Sequence, residues 1–191
     1  MALKKYLTWN FLLVVLIQYV GFKLSWLAAA YGAVEGPPWS YYGAIPFLVW
    51  LAIHVAYYRK FWELWYALSV GLMGTIIDTC YASTGFIVYN GPYPVLDFLA
   101  PMWITAIWMG LAITLDHSLD ILIGKPIWTY FVGAVFGPLA YWSGDGMGGL
   151  HFQMEFWPTM AILAFVWGFA FMACYGLLAY WRPKDEQEIP G

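Results

Sequence analysis

The chain is 191 residues long, 63% hydrophobic and 10% charged, against roughly 25% charged residues in a soluble domain. Its formal net charge is −3, and its apolar residues fall in runs of roughly 20, long enough to cross a bilayer as helices. These features exclude a soluble globular fold, and a β-barrel too, which shows short alternating segments instead. No nucleic-acid partner is expected.

Turn residues divide the chain into six predicted spans: 7–31, 41–58, 61–83, 98–123, 127–143 and 157–181. The first follows Lys4 and Lys5 and ends before Gly36-Pro37-Pro38. Its apolar run is longer than the roughly 7–15 residues of a signal-peptide core, so it reads as an uncleaved helix. Lys23 lies inside it. The second span carries His54 and stops at Tyr58-Arg59-Lys60. The third opens on Glu63 and contains GLMGTIIDTCYASTG, apolar or small at nearly every position except Asp78. An ionisable group at membrane depth is expensive and marks a functional site by default.

Asn90-Gly91-Pro92-Tyr93-Pro94 leads to the fourth span, which holds Trp103, Trp108 and the stretch TLDHSLD. Within that stretch Asp116 and Asp120 stand at i,i+4, and His117 and Asp120 at i,i+3, so one helical face is expected to present carboxylate and imidazole together. The fifth span contains Tyr141 and ends in SGDGMGG, which lacks the Gly-Lys-Ser/Thr of a phosphate-binding loop and is read as a flexible turn. After the sixth span, residues 182–191 form a short polar tail. The fold class is therefore all-α: a polytopic bundle of six transmembrane helices in one domain, 1–181, with no internal repeat.

Lys and Arg mark the N-terminus, the second and fourth loops and the C-terminus, and are missing from the other three loops. The positive-inside rule then puts both termini in the cytoplasm. Trp9, Trp39, Trp62, Trp128, Trp157 and Trp181 fall near span ends as interfacial anchors. Gly71 and Gly74, or Gly133 and Gly137, are placed to permit close helix contact. Cys80 and Cys174 fall in opposite leaflets, which predicts two free thiols and no disulfide.

Depth along the helices sorts the ionisable groups. Lys23 and Asp78 each lie about 24 Å beyond the start of an outward-running span, at matching depth, and opposite charges in hydrocarbon normally pair. A Lys23–Asp78 ion pair or water-bridged contact is expected, provided that the first and third spans are neighbours. A second group, His54, Glu63, Asp116, His117 and Asp120, lies toward the cytoplasmic face. Carboxylate with imidazole is raw material for acid–base chemistry or a metal site. Without an HExxH or a repeated Glu-x-x-His, the favoured reading is a polar network, or an interfacial cap in which Asp120 and Glu63 meet Lys125, Arg59 and Lys60 at the headgroup boundary, and neither a metal nor a cofactor is expected.

The blocks FKLSWLAAAYGA (22–33), GTIIDTCYASTGFIVY (74–89), APMWITAIWMGLAITLDHSL (100–119) and FGPLAYWSG (136–144) together resemble a family of small multi-pass proteins of the bacterial inner membrane, known only as a domain of unknown function. The resemblance runs from about Gln18 to Gly144. It implies a bacterial inner-membrane location and a role related to lipid, because genes of the family often lie beside enzymes that modify membrane fatty acyl chains. It also implies Asp78 and His117 as the typical polar positions. This chain departs from the pattern in having Lys23 where Gln is usual and Asp116 where Asn is usual.

Three functions are weighed on these residues. The favoured one is an enzyme, or an accessory factor, in membrane-lipid or fatty-acyl modification. Trp103, Trp108 and Tyr141 would line a pocket for a lipid or other apolar small molecule. Asp78, His117 and Asp116 would be the catalytic candidates, with Lys23 and His54 as further binding residues. The second is a small-solute or proton-coupled transporter, with one polar vestibule at Lys23 and Asp78 and another at His54, Asp116 and His117. The third is a structural or assembly protein with no chemistry of its own.

Overall fold

In the computed structural model residues 8–93, 96 and 98–187 are described; Lys4, Lys5 and the end of the polar tail lie outside them. Among the described residues the regular elements are helices, apart from one short ribbon. In order come α1 (Trp9–Glu35), a single turn α2 (Trp39–Tyr42), α3 (Ile45–Tyr58), α4 (Phe61–Ser83), β1 (Ile87–Tyr89), α5 (Met102–His117), α6 (Pro126–Gly146), β2 (Leu150–Phe152), α7 (Phe156–Trp181) and the short α8 (Lys184–Gln187). Asp120–Leu122 form a 3-10 turn between α5 and α6.

Backbone chemistry sets the breaks. Gly36 takes a φ of +75° directly after α1, and the two prolines that follow cannot continue the helix. Proline stands in the first turn of α3 and of α6, where its missing N–H leaves no bond unmade. Arg59 ends α3 in a left-handed conformation, φ 56°, with its N–H on the Val55 carbonyl at 2.8 Å. These positions correct the predicted spans in two places. The first helix runs on to Glu35, and the fourth is a 16-residue α5 followed by the separate turn at Asp120.

Helix α5 is the axis of the bundle, packed against α1, α3, α4 and α7, and most of its side chains are buried. The surrounding helices turn apolar side chains outward: Leu16 and Ile17 on α1, Leu48 and Ile53 on α3, Leu72 and Ile76 on α4, Phe131 and Val135 on α6, Phe165 and Phe169 on α7. Apolar faces of this extent are not left in water by soluble monomers. Leu12–Glu35, Trp39–Tyr58 and Phe156–Trp181 are long and apolar enough to cross a membrane. The protein is a helical membrane protein.

Glycines let the helices close on aromatic rings. Gly74 of α4 lies against the Trp108 indole of α5, and Gly137 of α6 against the Trp167 indole of α7; a Cβ at either position would overlap the ring. Trp108 and Trp167 in turn stack on each other, centroids 4.4 Å apart and planes 11° from parallel. Both thiols are free, Cys174 buried in α7 and Cys80 exposed.

The ribbon was not expected from the sequence. β1 and β2 pair antiparallel, with Ile87 opposite Phe152, Val88 opposite His151 and Tyr89 opposite Leu150. Strand alternation turns Ile87 and Tyr89 inward and Val88 outward. The predicted flexible turn SGDGMGG is mostly helix: α6 continues to Gly146, the chain reverses over Met147–Gly149, and Asp145 Oδ1 accepts from the Phe152 N–H at 3.3 Å.

Candidate functional site

Two buried carboxylates on α4, Asp78 and Glu63, anchor two separate polar groups, about 22 Å apart at the 1.5 Å rise of a helix. Asp78 is 0% exposed. The phenols of Tyr89 and Tyr141 both donate to its Oδ1, and the Trp108 indole N–H donates to Oδ2 at 2.7 Å. Each donor comes from a different element: β1, α6 and α5. The ribbon is what delivers Tyr89, and its approach is fixed further by Asn90, whose side-chain amide donates to the Gly148 carbonyl. The Asn90 carbonyl accepts from Trp103 Nε1 at 3.0 Å. Burial, and then the neighbouring Asp78 charge, hold the Tyr89 phenol in its protonated form.

Beside this cluster, between α1 and α6, lies a cavity of about 350 Å³. That is within the range of roughly 300–1,000 Å³ for small-molecule sites. Trp26 of α1, Trp103 and Trp108 of α5 and Trp167 of α7 supply aromatic wall, and Val132, Phe136 and Ala140 of α6 supply the facing side. Tyr141 also lines it, so its ring bridges the cavity and Asp78. Among the described lining residues Lys23 alone is charged. Because α1 packs on α2, α3 and α5 while α6 packs on α7, the cavity fills a gap between two helices at the bundle's periphery.

The second group forms where α3 ends, α4 begins and α5 ends. Glu63 is 1% exposed and takes two imidazoles, His54 Nε2 at 2.6 Å on Oε2 and His117 Nε2 at 3.1 Å on Oε1. Gln18 Nε2 lies 3.1 Å from His54 Nδ1. Asp116 meets the Arg182 guanidinium at 2.7 Å, and its Oδ2 stands 3.9 Å from His117 Nε2. The Tyr58 ring packs against both imidazoles, with centroids 4.7 Å from His54 and 4.3 Å from His117.

The residues singled out from the sequence thus fall into two places. Asp78, Trp108 and Tyr141 are joined by hydrogen bonds, with Trp103 and Lys23 on the same cavity. His54, Asp116 and His117 gather around Glu63 at the other end of α4.

Two expectations are corrected. Lys23 does not pair with Asp78, whose oxygens are taken by Tyr89, Tyr141 and Trp108; the lysine is exposed on α1, its ammonium 5.1 Å from the centroid of the Trp26 ring. Equal depth did not make neighbours, because α1 docks on α2, α3 and α5. A lysine that can reach outward along its stem also avoids the desolvation of a buried pair. The second correction concerns Asp116, His117 and Asp120, which do not share a helical face, since α5 ends at His117.

Sequence reasoning missed Tyr89, Trp167, Gln18 and Arg182. A signal for Tyr89 existed in the β-branched and aromatic run IVY between two glycine-bearing turns. Gln18 was visible only as one polar residue in a mostly apolar helix.

The chain belongs to the family described as "Protein of unknown function (DUF2878)", which it matches over residues 15–173. The match takes in both polar groups except Arg182. No curated protein and no solved structure matches the chain.

Proposed function

We propose that this protein spans the bacterial inner membrane six times, with both termini in the cytoplasm, and acts on membrane lipid as an enzyme or accessory factor by taking an acyl-type ligand into the cavity between α1 and α6. The observation that carries this reading is the cavity itself: a tryptophan-walled space in the bundle's periphery, bordered by apolar outward-facing helices and by one cation, Lys23. Apolar walls with few, convergent polar groups are the usual form of a small-molecule site. A gap between two membrane-facing helices suits a ligand arriving sideways from the bilayer. The lysine at its edge suits an anionic head.

The catalytic assignment differs from the sequence expectation of Asp78, His117 and Asp116, the last two of which gather at Glu63 instead. Asp78 is sealed behind the wall, so the group that touches ligand is the Tyr141 phenol, with Asp78 as its positioning partner. A phenol hydrogen-bonded to a carboxylate can hand a proton to a ligand atom and take it back.

The test uses the full chain in nanodiscs. Lipid that copurifies with it is identified by mass spectrometry, and binding of a fluorescent fatty-acyl probe is titrated. Wild-type protein binds the probe, Ala140→Trp and Val132→Trp block it while keeping the melting temperature, and Tyr141→Phe alters the lipid extract of cells that express the protein. Wild-type protein that neither retains lipid nor binds the probe would refute the reading. Uptake of a small solute into proteoliposomes that follows a pH gradient would point to transport instead.

A further inference from the structure

We propose that His54, Glu63 and His117 form a binding site for a divalent first-row transition metal. The site lies at the opposite end of α4 from the cavity, and the inference is independent of the lipid reading. The donor set is two imidazole nitrogens and one carboxylate, each delivered by a different helix: His54 from α3, Glu63 from α4, His117 from α5. Their ligand atoms all lie within 4.8 Å of one another. One ion at about 2.1 Å from each requires the most widely spaced of these atoms to draw together and the 2.6 Å His54–Glu63 contact to open. Two histidines and one carboxylate with positions left over is the arrangement that holds non-haem iron(II) or catalytic zinc.

The surroundings are those of metal-ligating histidines. Such an imidazole holds its proton on the nitrogen that faces away from the ion, where a neighbouring oxygen accepts it. Gln18 occupies that position for His54, against Nδ1. Its amide nitrogen points there, and its Oε1 is buried without a hydrogen-bond partner. The two ends of an amide are alike in shape. A half-turn places Oε1 on a protonated Nδ1 and leaves Nε2, now unprotonated, facing Glu63. The imidazole proton then sits on Nδ1 rather than Nε2, and the ring stays neutral throughout. His117 keeps 12% of its side chain accessible, beside the Asp116–Arg182 pair, so an ion there would have one side open to a further ligand.

The site also makes mechanical sense. The three helices meet through one carboxylate, so an ion would tie α3, α4 and α5 together, and binding would stabilise the folded chain by mass action.

The experiment takes the full chain in detergent, strips it with a chelator, and adds Zn²⁺, Mn²⁺ or, without oxygen, Fe²⁺ alone. Bound metal is counted by elemental analysis after desalting, and the melting temperature is followed during the titration. Wild-type protein should take up a stoichiometric amount of at least one of the three ions and melt higher for it. Glu63→Gln and His54→Ala should lose that uptake. Co²⁺ added to the wild type should give a ligand-field spectrum of nitrogen and oxygen donors. Gln18→Leu should weaken binding by about tenfold or more, the effect of removing an outer partner, and Gln18→Glu, which restores an acceptor, should recover it. Stripped wild-type protein that binds none of the three ions overturns the proposal. So does a correctly folded Glu63→Gln variant that binds as much as wild type. Should that variant not fold, the wild-type uptake and the Co²⁺ spectrum decide alone.

Discussion

Asp78 and Glu63 sit on one helix and are equally withdrawn from solvent, yet their partners have opposite chemical character. Asp78 accepts from two phenols and an indole. The indole can only donate, and the phenols bring two more protons that need acceptors. Glu63 meets two imidazoles, each of which can offer a proton or a lone pair at the same nitrogen. The first arrangement has one satisfied resting state, which holds the Tyr141 phenol in place at the apolar cavity. The second has several states of similar energy, which suits an exchange of protons or of an ion. Burial of a carboxylate therefore says little about its role until the protons of its neighbours are counted.

The sharpest way to break this contrast is to remove Asp78. Asp78→Ala leaves three buried donors without an acceptor, at ~1–3 kcal/mol each, so a loss of about 3–9 kcal/mol is expected in denaturation experiments on purified protein, with poor folded yield. Gly137→Val comes next. The added atoms collide with the Trp167 ring, and overpacking of about 2–3 kcal/mol is expected together with loss of acyl-probe binding. Metal uptake, at the other end of α4, should be untouched.

The isosteric amides then test the proton count directly. Asn at position 78 can keep both phenols on its carbonyl but then turns its NH2 on the Trp108 N–H, so the indole proton is orphaned and Asp78→Asn should cost about 1–3 kcal/mol. Gln at position 63 can donate to one imidazole and accept from the other after a change of tautomer, so Glu63→Gln should cost under about 1 kcal/mol. Equal melting temperatures for the two variants would remove the distinction.

The two regions also differed in how far they could be read from sequence. Span positions and small-residue contacts follow from local patterns, and the glycines at 74 and 137 do lie where helices close on aromatic rings. Asp78 stood out because a charge among apolar residues is conspicuous at any depth. Its partner did not, because depth along a helix is a local property while adjacency depends on which helix faces which. Lys23 shared the depth of Asp78 but sits on a helix that docks elsewhere. Tyr89 was hidden by a different rule: a three-residue strand exists only through its pairing with β2, 61 residues away in sequence at Tyr89–Leu150. The convergence on Glu63 needed three helix ends to meet, which no spacing in TLDHSLD records.

The smallest expected effect separates the two accounts of Lys23. Were it the counter-ion of a sealed Asp78, Lys23→Gln would strand a buried charge and cost about 3–5 kcal/mol. In the structure its ammonium is exposed, near only the Trp26 ring among the described aromatic groups. A contact of that kind is worth about 0.5–1 kcal/mol at an exposed site, and the glutamine that replaces it still covers part of the indole. The stability of Lys23→Gln should therefore stay within about 0.5 kcal/mol of wild type. What should change is selectivity: the variant is expected to lose any preference for an anionic over a zwitterionic acyl probe, measured by competition in nanodiscs, while affinity for the apolar part of the probe remains. A stable variant with unaltered selectivity would remove Lys23 from the cavity's function and leave the tryptophan wall to account for binding alone.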